Sequence, residues 1–210
     1  MFMNQKVVRA SLGLLIAVFT ASVLPSRASS ITWTNTSGGN WSNPFNWSPN
    51  QVPGLTNTAV ITTPGNYSVT LDVSPTIGGL FLGAPNGGTV QSLSTGAQTL
   101  TINGQIQVFS QGQFNVNGGA LAGTNVLTGA LTWSGGRISG TMTIATNSVF
   151  NIVAGGGNGF YGFVLTNYGT VNWTNTTIYG QADTNAQIYN YGLWNAQSDN
   201  TFVGGNEGGT

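Results

Sequence analysis

The chain has 210 residues, 4% charged and 40% hydrophobic, with neither Cys nor His. That composition excludes a disulfide, a Cys/His zinc site, a Ser-His-Asp triad and a Cys-His dyad. Gly supplies 32 residues and solubility must come from Asn, Ser and Thr, a profile that suits Gly-punctuated β structure with turns at short intervals.

Residues 1–28 have the layout of a secretory signal peptide. Lys6 and Arg9 precede an apolar run over 12–24, and Ser26-Arg27-Ala28 sets small residues around a cut after Ala28. The run is shorter than the ~20 residues of a membrane span. The mature chain is therefore expected to be secreted or held on the outer cell surface, with no membrane span of its own. Cleavage would leave Arg137 as the one base against Asp72, Asp183, Asp199 and Glu207, a net charge of −3. A single Arg cannot displace counterions from nucleic acid or bind an acidic membrane, so both partners are excluded.

Residues 29–58 follow as a polar, turn-rich segment with Trp33, Trp41 and Trp47 among Asn, Ser and Gly, punctuated by Pro44, Pro49 and Pro53. From 59 to 102 short apolar runs alternate with turns: AVIT, YSVTLDV, IGGLFLG. Later units share one shape, alternating apolar and polar residues and then breaking at Asn, Ser or Gly: TLTING, QFNVNGG, ALTWSGG, VFNIVAGG, TVNWTNT. Ile102, Val116, Trp133, Ile152 and Trp173 mark these units in turn, and their spacing widens steadily along the chain. A sharper match joins two Asn-Tyr-Gly triplets, at 167–169 and 190–192. A unit of about twenty residues with period-two apolarity predicts a stacked solenoid in which neighbouring units share one core. Leucine-rich repeats lack their consensus here, and calcium-binding β-rolls would need an Asp in each repeat. An immunoglobulin-like or jelly-roll sandwich would use equally regular short strands, but the likeness of the two Asn-Tyr-Gly segments favours the solenoid.

The W…GGNW…NW…P-G opening, followed by TAVIT, YSVTLDV and IGGLFLG, resembles the start of large secreted bacterial β-helix proteins with autotransporter-associated β-strand repeats. The Asn-bearing units at 165–169 and 188–192 are similar to their coils. The resemblance spans residues 31–210. It implies an all-β fold, a right-handed parallel β-helix with an irregular Trp-rich N-terminal cap over 29–58 and repeats over 59–210, and a surface role such as adhesion. The glycine-rich finish at 204–210 shows no barrel, sorting anchor or cap, so the chain reads as the front part of something longer or as a truncated product. An uncapped end would allow self-association.

The candidate chemistry is sparse. Asp183 and Glu207 stand near one coil apart and could stack on one face, and Asp183 could approach Asp199, as a carboxylate pair for glycoside cleavage requires. Isolated, solvated turn carboxylates are the plainer reading, and no catalytic residue, metal site or cofactor is assigned. Arg137, in GGRISG, could contact a sugar or a carboxylate, or simply leave a turn. Trp33, Trp41 and Trp47 could form a glycan-stacking platform or cover the first coil, and the cap is the stronger reading because solenoids require one. Tyr168, Tyr191, Trp173 and Trp194 suit ladders of like residues, with an exposed glycan-binding strip as the lesser reading. Six Asn-x-Ser/Thr triplets, starting at Asn35, Asn40, Asn46, Asn66, Asn172 and Asn175, are what an Asn-, Ser- and Thr-rich chain produces freely. The function expected is a secreted or cell-surface, adhesin-like structural protein without catalytic activity, meeting extracellular polysaccharide or cell-surface partners. The alternative is a carbohydrate-binding or polysaccharide-degrading β-helix.

Overall fold

The computed structural model describes residues 29–180 and 186–204. The proposed signal segment, Asp183 and Glu207 lie outside the described residues. Successive short strands stack in parallel into a β-solenoid of about 7 turns. Each turn contributes to three ladders in chain order. The first ladder runs through Ser29–Trp33, Asn57–Ile61, Gly79–Leu82, Gln105–Val108 and Thr124–Thr128, and continues through residues 141–144, 164–167 and 187–190. The second contains Tyr67–Thr70, Gln91–Ser94, residues 112–115, 131–133 and 149–152, Thr170–Trp173 and Leu193–Ala196. The third contains Thr76–Ile77, Thr99–Ile102, residues 120–122, 137–139 and 158–160, Thr177–Gly180 and Thr201–Gly204.

Period-two patterning builds the core directly. Asn57–Ile61 alternates buried and half-buried residues, and Tyr67–Thr70 alternates buried and exposed ones. Because the ladders are in register, inward residues form columns. Ile31, Ala59, Leu80, Ile106, Leu127 and Ile144 are successive partners on the first ladder, and Val69, Leu93, Phe114, Leu131, Phe150 and Val171 are successive partners on the second. All twelve are buried. Fully burying one such side chain is worth roughly 1.5–3 kcal/mol, and no single turn could bury its own inner face.

Turn length varies while register is kept. Ala59, Leu80, Ile106, Leu127, Ile144, Asn167 and Asn190 are successive partners on the first ladder. The step from Leu80 to Ile106 is the longest of these and the step from Leu127 to Ile144 the shortest. The corners absorb the difference. The sequence markers Val116, Trp133, Ile152 and Trp173 are true successive partners on the second ladder. Ile102, however, pairs with Ile77 on the third ladder, so the spacing from Ile102 to Val116 joined two different ladders. The predicted breaks at Gly-Gly are also revised. Ala130–Ile144 and Val149–Asn167 stay paired through their corners, with register shifts at Trp133/Gly135, Gly135/Arg137 and Ser139/Gly140. Glycine there bends the strand without ending it.

At the N-terminal side, Ser29–Trp33 is already a parallel rung, paired with Asn57–Ile61. Its other edge is covered by the short strand Trp47–Ser48, which pairs antiparallel to it (Trp33 with Trp47) and is followed by Pro49. A short antiparallel edge that runs into proline blunts further strand addition. Among the described residues, no helix is long and apolar enough to cross a membrane.

Candidate functional site

The tryptophan-rich stretch belongs to the core. Trp33 and Trp41 are 0% exposed and Trp47 is 1% exposed. Trp47 meets Trp33 edge-on at 4.9 Å and Trp41 edge-on at 4.8 Å, an arrangement aromatic quadrupoles favour, and Trp33 stacks on Tyr67 at 6.5 Å. Two indole N–H groups are satisfied locally: Trp33 Nε1 donates to the Asn35 carbonyl at 2.6 Å and Trp47 Nε1 to the Trp41 carbonyl at 2.9 Å. A glycan cannot reach these faces. The platform formed by Trp33, Trp41 and Trp47 is therefore corrected, because their apolar area is spent on the core and on one another.

Asparagine side chains tie the same segment together. Asn35 donates to Asn46 Oδ1 at 2.9 Å, and the buried Asn46 donates to the Asn40 carbonyl at 2.9 Å. Three of the six Asn-x-Ser/Thr positions thus serve one internal network.

The carboxylates do not converge among the described residues. Asp72 accepts the Ser42 backbone N–H at 2.9 Å and the Ser42 hydroxyl at 2.5 Å. Burial pushes its carboxyl up, but the hydrogen bonds from Ser42, its own backbone and Asn40 outweigh that and hold it below the ordinary carboxylate value. Asp199 is exposed, on the rim of a small polar recess with Asn175 and Thr176. Asp183, the expected partner of both Asp199 and Glu207, lies outside the described residues, as does Glu207.

Arg137 occupies a more structured place. It sits on an outward column of the third ladder, where Thr99, Ala120, Arg137, Gly159 and Tyr179 are successive partners. Its guanidinium lies 4.4 Å from the centre of the Tyr161 ring, within cation–π range. The ring can lie there because Gly159 has no side chain: a Cβ at Gly159 would stand 2.8 Å from the edge of Tyr161. At the corner entering the third ladder, Gly119, Gly136 and Gly157 leave backbone as the floor of an open groove of about 840 Å³, walled by Arg137, Tyr161 and Tyr179. At Gly136, φ is +81° and a Cβ would lie 2.5 Å from the Gly118 carbonyl oxygen, so this corner can only be bare. The recess beside Asp199, about 300 Å³, shares Gly157 and Tyr179 with the groove and extends it.

The other aromatic repeats form ladders. Tyr168 and Tyr191, both exposed, stack at 5.3 Å with an interplanar angle of 15°. Stacked along the solenoid axis, each ring presents a face to its neighbour, whereas a sugar-stacking strip needs faces turned to solvent. Trp173 and Trp194 pack edge-on at 6.2 Å against the core, with Trp173 Nε1 donating to the Thr176 carbonyl at 3.0 Å. Asparagine does the same: Asn172 donates to Asn151 at 2.9 Å, and Asn167 to Asn190 at 2.7 Å.

Arg137 stood out in the sequence, whereas Tyr161 and Tyr179 did not. The signal available was the recurrence of Gly-Gly at 118–119 and 135–136 and of three Gly at 155–157, which marks one bare corner repeated on successive turns. No family model, curated protein or solved structure matches this chain.

Proposed function

We propose that the protein is a secreted or cell-surface solenoid with a structural and adhesive role and no catalytic centre, as its resemblance to autotransporter-type β-helix proteins implies. The observation that carries this reading is the stacking of three parallel ladders, in which outward polar side chains bond from one turn to the next at several places. Ser68 bonds to Ser92 at 2.6 Å, Thr128 to Gln107 at 2.7 Å and Asn172 to Asn151 at 2.9 Å, each a side-chain bridge from one turn to the next. Such bridges stiffen a rod and keep its surface soluble without charge. A catalytic reading draws little support from a chain with four carboxylates and no His or Cys.

The test is expression of the full chain in a Gram-negative host, with fractionation and N-terminal sequencing of the product. Export with a new N-terminus at Ser29, exposure to added protease at the surface or in the medium, and no release of reducing ends from polysaccharides are expected. Retention in the cytoplasm with Met1 intact would overturn the surface role, and reducing-end release would overturn the non-catalytic one. The binding half of the alternative reading is favoured by one observation, the groove at Arg137.

A further inference from the structure

We propose that the corner groove centred on Arg137, Tyr161 and Tyr179 binds a neutral polysaccharide strand lying along the solenoid axis. This deepens the surface reading and rests on it for the ligand's location outside the cell.

Shape comes first. The groove crosses successive turns at one corner, from Ala97 and Thr99 through Gly119, Gly136 and Gly157 to Tyr179. Strands in a sheet lie ~4.8 Å apart, so the four steps between these five rungs make it roughly 19 Å long. With the recess at Asp199 it offers about 840 and 300 Å³ in two connected lobes, the range of small-ligand sites but drawn out along one line. An elongated trough with a flat backbone floor suits a chain of rings.

Chemistry selects the class. Arg137 brings N–H donors only, and its guanidinium is already oriented by Tyr161, so little is lost in ordering it. It is the single base after residue 27. At the far lobe Asp199 brings acceptors only, while Asn175, Thr176 and Thr177 bring both kinds. Between them Tyr179, 43% exposed, lines both lobes with an aromatic ring. Donors at one end, acceptors at the other and an aromatic surface between match a ligand whose groups are hydroxyls, each able to donate and accept. A polyanion would meet Asp199 inside the site and the net −3 of residues 29–210, and so is disfavoured.

Gly159 has a specific part in this arrangement. Its missing side chain lets Tyr161 lie beside it and against Arg137, on the column that runs from Arg137 through Gly159 to Tyr179. Tyr161 is thus a positioning residue, and Arg137 and Tyr179 are the contacts.

Affinity electrophoresis of the exported chain tests the proposal, with gels containing galactomannan, mixed-linkage β-glucan or polygalacturonate. At least one neutral polymer should retard the protein. Arg137→Ala and Tyr179→Ala should each weaken that binding about tenfold or more, the effect expected on losing a charged hydrogen bond or a stacking face. Tyr179→Phe should keep most of the retardation, and Tyr191→Ser, on a different corner, should leave it unchanged, all with the circular dichroism of the parent. No retardation by either neutral polymer, retardation by polygalacturonate alone, or binding indifferent to both alanine variants would overturn the proposal. An exported, surface-exposed protein that fails to bind removes the groove and leaves the surface reading intact. Groove binding by a chain that stays in the cytoplasm does the reverse.

Discussion

Two aromatic regions, at opposite ends of the described chain, use their rings in opposite ways. In the first, Trp33, Trp41 and Trp47 meet edge to face and bury themselves completely, and two of their indole N–H groups turn onto nearby carbonyls. In the second, Tyr168 and Tyr191 lie exposed and face to face, one turn apart. The first region ties an irregular segment across the edge of a ladder. The second continues a repeat outward, where the ring decorates the rod. The difference teaches that aromatic content is no guide to binding: the partner on each ring face decides. By that test Tyr179, exposed beside a glycine corner, is the ring we propose for a ligand.

The contrast can be broken by substitution. Trp47→Ala is expected to cost about 3–5 kcal/mol, which lowers the thermal midpoint of a chain this size by roughly 6–20 °C. A loss under about 1 kcal/mol, read from chemical denaturation, would mean that the indole is dispensable to the core and that the buried end has been misjudged.

A smaller effect is expected at Asn167, the buried amide that replaces an apolar residue in the first ladder's inner column. It donates to Asn190 at 2.7 Å and to the Leu193 carbonyl at 3.1 Å, and accepts from the Gly169 N–H at 3.0 Å. Asn167→Ala leaves those groups unpaired and should cost about 1–3 kcal/mol. Increased hydrogen exchange confined to residues 187–196 would localise the loss to the last turns. Tyr191→Ser removes only a stacked, exposed pair and should cost no more than about 0.5–1.5 kcal/mol.

The smallest effects depend on pH. The Asp72 carboxyl is held below its ordinary value in the folded chain, so its contribution is present above the unfolded value, near 4, and is lost as pH falls through the folded one. Solvent screens this partly exposed interaction. Denaturation midpoints measured at pH 6 and pH 3 should therefore converge slightly more in Asp72→Asn than in the parent. Burial raises the Tyr67 hydroxyl to about 12, against a smaller opposing pull from its bond to Thr63, so its contribution should persist below pH 10 and disappear between about 10 and 12.

Much of this architecture was legible in the residues. Alternation in 57–61 and 67–70 marks strands whose inner residues are buried, and the Asn-Tyr-Gly match foretold that Asn167 and Asn190 would be direct partners. The ladder of Ile102 was not legible, because strands on all three ladders carry the same alternation and turns as unequal as Leu80 to Ile106 and Leu127 to Ile144 follow one another. Nor was the course through the corners, since Gly-Gly ends some strands and only bends others. The tryptophans stood in polar sequence, so their burial depends on neighbours such as Tyr67 and Ile31 that arrive from outside the segment between them. The groove was the least visible feature. Its three defining side chains, Arg137, Tyr161 and Tyr179, come from successive turns, and the Tyr161 ring reaches Arg137 beside Gly159, which has no side chain to block it.

The division between a buried aromatic start and an open corner is tested most directly by reading thermal midpoint and polysaccharide retardation together in two variants, Trp47→Phe and Tyr179→Ala. The expected result is a crossed pattern: Trp47→Phe lowers the midpoint and keeps the binding of the folded protein, while Tyr179→Ala keeps the midpoint and loses the binding. Retardation lost in Trp47→Phe while the fold persists, with Tyr179→Ala unaffected, would place the contact at the tryptophans and contradict the assignment of both regions.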